Sequence, residues 1–229
     1  MNSGMRIAVL STLALRGILE QFKPRLEQAL GARLEFRFGA TQAILKELEA
    51  ADEQAWPDLL VLTGEAMKQL EAGGKVTHVR VLGSSGVGVA VRAGAPKPDI
   101  GTLEAFKRAI ADANSVAHSK VGASGLYFSG LIESIPLKIK KRVVVESGPV
   151  GHAVAAGEAE IGIQQLCELA PVAGIDIVGG LPEPIQRMTE FAAGVPGNAK
   201  NPQGGADLLK QLCSESVRAA MPAAGINPA

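Results

Sequence analysis

The sequence predicts an α/β protein of two halves, each a mostly parallel sheet flanked by helices. Short β-branched and apolar runs alternate with segments whose apolar residues recur at helical spacing. Three such strand–helix units follow one another between residues 6 and 74, which implies a parallel sheet with right-handed crossovers. The texture then changes near 83–92 and again near 180–188, as expected where a chain crosses into a second half and returns. We therefore expect lobe 1 to comprise residues 1–84 plus 187–229, and an inserted lobe 2 to comprise 85–186.

Taken in order, Arg6–Leu10 is a strand ending in Ser11-Thr12. Leu13–Leu30 is a helix, with Leu15, Ile18, Leu19, Phe22, Leu26 and Leu30 on one face and Gly31 as its stop. Leu34–Phe38 alternates as a strand, and Gly39-Ala40-Thr41 opens a helix over Gln42–Ala51. Asp58–Leu62 is a third strand, followed by a helix over Glu65–Glu71 that Gly73-Gly74 ends. Val79–Leu82 and Val87–Arg92 read as two strands around a Gly83–Gly86 turn, and Thr102 as the N-cap of a helix over Leu103–Ala111. Val116–Ser119 is a strand, with a helix from about Ser124 to Ile135, then a strand over Arg142–Val145. Ser147–Gly151 opens a short helix, Glu160–Gln164 is a strand, and Gln165–Ala170 is a helical turn. Asp176–Val178 and Arg187–Val195 are strands, and Gln203–Met221 is one closing helix.

Composition narrows the function. Lys plus Arg equals Asp plus Glu at 23 each, so no global field draws the chain to nucleic acid or an anionic membrane. One Trp and one Tyr leave little for base stacking. No run approaches the roughly 18 apolar residues of a membrane span, so no membrane insertion is expected. Ile7–Leu10 reads as a first strand, since Ser11, Thr12 and an amphipathic helix follow it and a cleavage site does not. The expected location is periplasmic if a leader has been removed, and otherwise cytoplasmic. Cys167 and Cys213 lack ligand spacing and read as small buried hydrophobes, with their bridging left open. Neither a metal nor a cofactor is expected. In particular, Gly39–Thr41 lacks the Lys-Ser/Thr ending of a phosphate loop.

Four strands end in small or hydroxyl residues that start helices: Ser11-Thr12, Gly39–Thr41, Gly122–Gly125 and Ser147–Gly151. In open parallel sheets, ligands sit beyond the carboxyl ends of the strands. Helix N-termini and backbone amides there suit a small anion. The stretch Val116–Phe128 is the richest, with His118, Ser119, Lys120, Ser124 and two glycines. The competing reading of Ser124 is a plain helix cap.

On Ile7–Leu13, Phe38–Thr41, Pro57–Val61, Gly122–Gly125 and Gly157–Gln165, the chain resembles the type II periplasmic-binding-protein fold. Within that fold it resembles the molybdate-binding-protein-like branch of solute receptors, over nearly the whole length. Asp58 falls at that branch's Asp-Leu strand start. The resemblance implies a receptor that captures a small anion in an inter-lobe cleft and serves an ABC transporter permease. It matches Thr12 and Thr41 to first-lobe hydroxyls, Ser124 to the second-lobe turn and Val150 to a backbone donor.

Gln165, preceded by Gln164, stands where those receptors carry a tyrosine, and His118, Lys120 and His152 add groups that a bare tetrahedral oxyanion does not need. These changes favour a carboxylate ligand. The expected ligand-binding set is Ser11, Thr12, Thr41, Ser119, Lys120, Ser124, Gly125, Val150, Gln164 and Gln165. The alternative is an isomerase on the same scaffold, resembling aconitate isomerases, that shifts an allylic proton in an unsaturated di- or tricarboxylate. In that case His118 and His152 are the catalytic candidates, with Glu146 as a further base.

Overall fold

The computed structural model describes residues 5–50 and 56–229. The chain divides into two compact units. Unit 1 comprises Met1–Ser84, Thr189–Ala223 and Asn227–Ala229, and unit 2 comprises Ser85–Met188 with Ala224–Ile226.

Unit 1 begins with β1 (Arg6–Thr12), α1 (Arg16–Leu30), β2 (Arg33–Gly39), α2 (Thr41–Ala50), β3 (Leu59–Thr63) and α3 (Gly64–Ala72). β4 (Val76–Arg92) starts in unit 1 and ends in unit 2. Unit 2 continues with α4 (Leu103–Asp112), β5 (Val116–Ser119), α5 (Ala123–Ser134), β6 (Arg142–Val145) and α6 (Val150–Ala155). It closes with β7 (Ile161–Gln165), α7 (Leu166–Leu169) and β8 (Ile175–Gly180). β9 (Met188–Pro196), α8 (Pro202–Leu212), α9 (Glu215–Ala220) and β10 (Asn227–Pro228) complete the chain.

In unit 1, β1 pairs in parallel with both β2 and β3, so Ser11 lies beside Phe38 and Val61, and Thr12 beside Gly39. β9 runs antiparallel on the far side of β3. The carboxyl ends of β1, β2 and β3 therefore share one edge. Leu10, Leu60 and Leu62 of these strands are buried in one cluster with Ile44 of α2, Met67 of α3 and Ala192 of β9. Each Leu or Met there contributes roughly 1.5–3 kcal/mol on leaving water. Asp58, 6% exposed, ties the start of β3 down. Its Oδ2 accepts the Ala8 N–H at 2.8 Å, and its Oδ1 accepts the Asn201 N–H at 2.8 Å.

In unit 2, β5 lies between β6 and β7 and is parallel to both, with Ser119 beside Val145 and His118 beside Ile163. One residue further, Gln164 comes level with Ser119. β4 runs antiparallel to β7 and β8. The core gathers Val87, Val89, Phe106, Phe128, Ile161 and Ile163, and α4 and α5 supply the two phenylalanines.

Three expectations of element boundary are corrected. The predicted turn at Gly83–Gly86 is absent, and β4 is one strand of 17 residues. Its small residues answer close packing, because a Cβ on Gly88 would strike the Leu166 side chain. The closing helix is two helices, since α8 ends at Leu212 with Cys213 as its C-cap and Ser214 is the N-cap that starts α9. The first helix is preceded by a 3-10 turn over Leu13–Leu15, so α1 begins at Arg16. Elsewhere the helix stop at Gly31 is left-handed, at φ 59°. Thr102 caps α4 by accepting from the Ala105 N–H. The expected end of α2 at Ala51 lies outside the described residues.

Candidate functional site

Unit 2 holds the more complete site. β5 ends at Ser119, and four residues later α5 starts on Ala123. The turn is held by the Gly122 N–H, which donates to Ser119 Oγ at 3.1 Å. A Cβ on Gly125 would run into the Ser119 carbonyl oxygen, so only glycine lets the first turn of α5 lie this close to β5. Gly122 is the N-cap and no side chain caps the helix. The first-turn amides of Ala123, Ser124 and Gly125 have no carbonyl a turn earlier to bond, and the positive end of the helix dipole lies behind them.

Ser124 does not act as the cap. Its side chain is 1% exposed, and its Oγ has no hydrogen-bond partner among the described residues. A buried hydroxyl left so costs about 1–3 kcal/mol relative to a bonded one. Evolution tolerates that cost where a ligand supplies the missing partner.

The two glutamines at the end of β7, both 2% exposed, divide their work. Gln164 Oε1 accepts the Val150 N–H at 2.6 Å, and Gln164 Nε2 donates to Glu168 Oε1 at 3.0 Å. The Val150 amide and Gln164, both expected at the ligand, are thus bonded to each other. Gln165 Nε2 donates to the Ser85 carbonyl at 3.2 Å, while its Oε1 is buried without a partner among the described residues.

Ser85 was missed in the sequence, although it organises this corner. Its Oγ donates to the Gly225 carbonyl at 2.7 Å and accepts the Cys167 N–H at 3.1 Å. Glu168 was missed as well. Burial pushes its carboxyl up to about 7, against a hydrogen bond from Gln164 that lowers it. A lone acid inside the apolar run Leu166–Leu169, just after two glutamines, was the available signal.

His118, expected as a catalytic candidate, is engaged within unit 2. Its ring is 1% exposed and both nitrogens are engaged. Nδ1–H donates to the Ser119 carbonyl at 3.0 Å, so Nε2 is the acceptor of Arg142 Nη2–H at 2.9 Å. Its ring also packs edgewise on Phe128, with centroids 5.5 Å apart. Burial holds its pKa below the usual histidine value, with the Arg142 charge adding to the effect and the Ser119 bond opposing it. The ring therefore locks β5 to β6 as a neutral imidazole. His152 lies exposed on α6.

Lys120 Nζ bonds both oxygens of Glu146 at 2.8 and 3.1 Å, so the proposed base is occupied by a cation. With both side chains more than half exposed, that bridge adds at most about 1 kcal/mol and is easily exchanged.

Unit 1 presents its own set along the shared edge of β1 and β2. Ser11 is fully buried and its Oγ donates to the Thr12 carbonyl at 3.1 Å. Thr12, 6% exposed, ends β1 without capping the turn that follows. Thr41 starts α2, and its Oγ1 is a buried oxygen with no partner among the described residues. The unsatisfied atoms thus include the expected ligand hydroxyl of each unit, Thr41 and Ser124.

Cys167 and Cys213 carry free thiols, and burial pushes the Cys167 thiol up to about 12. Among the described residues no group of three His, Cys, Asp or Glu could hold a metal ion. No helix there is long and apolar enough to cross a membrane.

Comparison with known proteins bears on the family and the fold. The chain is 36% identical over 232 residues to an aconitate isomerase from a Pseudomonas species, covering 97% of this chain and 87% of that protein. Its fold is similar to the periplasmic molybdate-binding protein of Azotobacter vinelandii, with a TM-score of 0.74 at 16% identity, over 96% of this chain and 98% of that one. A sulfate-binding protein from Mycobacterium tuberculosis gives a TM-score of 0.71 at 14% identity, over 98% and 87%. At such identities these two structures show the fold alone, the type II periplasmic-binding-protein fold. The family model described as bacterial extracellular solute-binding protein matches residues 7–227. On that match, over nearly its full length, this chain belongs to the bacterial extracellular solute-binding protein family.

Proposed function

We propose that the protein captures a small organic anion carrying two or three carboxylates, as the receptor of an ABC-type transporter. The observation that carries this reading is the buried, partnerless Ser124 hydroxyl at the uncapped N-terminus of a 12-residue helix. Amides and a hydroxyl that converge without a fixed cation favour an anion whose charge they can share. Lys120, at the tip of the same turn, can leave Glu146 for a second carboxylate of the ligand. Capture then takes place outside the cytoplasmic membrane, and the loaded protein delivers to a membrane permease.

A thermal-shift panel tests the reading, with citrate, cis- and trans-aconitate, tricarballylate, sulfate and molybdate as the anions. A rise in melting temperature with the polycarboxylates is expected from mass action. If no member of the panel raises it, the reading fails.

The identity to an aconitate isomerase across 97% of the chain favours a second reading, isomerisation of an unsaturated tricarboxylate. One group removes a carbon-bound proton, the double bond shifts along the allyl unit, and a proton is returned to the far carbon. With His118 locked, His152 is the remaining histidine candidate for that transfer. Incubation with cis- or trans-aconitate, followed by chromatography, separates the readings. Interconversion identifies the enzyme, and binding without interconversion leaves the receptor.

A further inference from the structure

We propose that Gln165 sets the ligand class at this site: its side-chain carbonyl accepts a hydrogen bond from a hydroxyl of the captured anion, which is therefore a hydroxy di- or tricarboxylate. The inference rests on the anion-capture reading above.

The register of unit 2 brings Gln165 to Ser124. Ile163 of β7 pairs with His118 of β5, and the His118 ring packs edgewise on Phe128 of α5. Phe128 thus marks the height of the Ile163–His118 row. Side chains alternate across a strand, so Gln165 shares the face of Ile161 and Ile163, which lie in one core cluster with Phe128 and Leu131. Two residues along β7 carry Gln165 about 6.6 Å beyond that row. α5 packs on β5 and β7 and runs back over them from their carboxyl ends. Ser124, four residues before Phe128 on the same helix face, lies about 6 Å beyond the row in the same direction. Ser124 and Gln165 therefore share one level, at the uncapped first turn of α5.

That corner holds an acceptor which a bare polycarboxylate leaves unmet. Gln165 Nε2 donates to the Ser85 carbonyl, and a carbonyl admits only the N–H end of an amide, so the other end is the oxygen. This Oε1 is buried with no partner among the described residues, and so is Ser124 Oγ. The two residues are 2% and 1% exposed. The first-turn amides and the Ser124 hydroxyl can donate to a carboxylate. Gln165 Oε1 cannot, because lone pairs would then face lone pairs. A hydroxyl on the carbon skeleton meets both demands: the carboxylate accepts from the helix start and the O–H donates to Gln165. A ligand ammonium is disfavoured, since the acids of the adjoining elements are engaged, Glu146 by Lys120 and Glu168 by Gln164.

The test uses two pairs of acids that differ by a single hydroxyl, citrate against tricarballylate and malate against succinate. Isothermal titration gives their dissociation constants for the wild-type protein and for Gln165→Met, which keeps the length of the side chain and removes the acceptor. In at least one pair, the hydroxy acid is expected to bind the wild-type protein about tenfold more tightly. In the variant that ratio should fall to within about twofold, a double-mutant cycle that cancels other differences between the acids. Circular dichroism checks that the variant is folded; if it is not, the wild-type ratios decide alone. Equal constants within both pairs, tighter binding of the acids lacking the hydroxyl, or a preference that survives in Gln165→Met overturns the inference and leaves anion capture intact. Binding of trans-aconitate with neither citrate nor malate bound does the same. Absence of binding by all five acids removes the polycarboxylate reading, and this inference with it.

Discussion

The side-chain carbonyl of Gln164 accepts the backbone hydrogen of Val150 at 2.6 Å, so the amide that opens α6 is satisfied from inside unit 2. A buried glutamine used in this way is part of the frame of the site. Its replacement should therefore register first in stability.

Gln164→Leu removes the acceptor for Val150 and the donor for Glu168 while nearly preserving volume. We expect a loss of about 1–3 kcal/mol, the cost of stranding a buried amide and an acid partner. Urea denaturation followed by circular dichroism measures it. A change below about 0.5 kcal/mol would show that the Val150 amide has another partner.

Ser124→Ala should separate binding from folding. The hydroxyl has no partner among the described residues, so its deletion is expected to leave stability within about 0.5 kcal/mol or to raise it slightly. Anion affinity should fall about tenfold, the loss of one hydrogen bond to a charged ligand. Isothermal titration with the anion that gives the largest thermal shift checks it, and unchanged affinity would remove Ser124 from the site.

Asp58→Ala breaks two charge-assisted bonds in unit 1, from the Ala8 and Asn201 amides. At roughly 1.5–3 kcal/mol for each bond to a charged group, a loss of about 3 kcal/mol or more is expected. It should appear as a lowered urea midpoint, and asparagine at the same position should recover part of it.

The buried His118 and the part-buried Glu168 give stability opposing dependences on pH. The folded pKa of Glu168 lies at about 7, above its unfolded value of 4.5, so its contribution is full below 4.5 and is lost as pH rises toward 7. The folded pKa of His118 lies below its unfolded value of 6.5, so its contribution is present above 6.5 and is lost as pH falls. Melting curves from pH 4.5 to 7.5 should show that Glu168→Gln flattens the decline on the Glu168 side. His118→Gln should flatten the loss toward acid. An unchanged profile for either variant would show that the group does not differ in proton binding between the folded and unfolded states.

The sequence by itself determined the parallel strand–helix order. It did so because helix and strand periods, together with stops such as Gly31 and caps such as Thr102, are local properties of neighbouring residues. It also marked Thr41 and Ser124, since hydroxyls that start helices after strands are visible in one dimension.

Only the tertiary structure decided which polar groups were already used. Whether His118 is a base or a lock depends on Arg142, 24 residues away, and whether Val150 is a free donor depends on Gln164, 14 residues away. Burial set by the packing of α7 raises Glu168, and Ser85 is tied to Gly225 across 140 residues. Hydrogen-bond satisfaction and desolvation are sums over neighbours in space, which spacing along the chain does not encode.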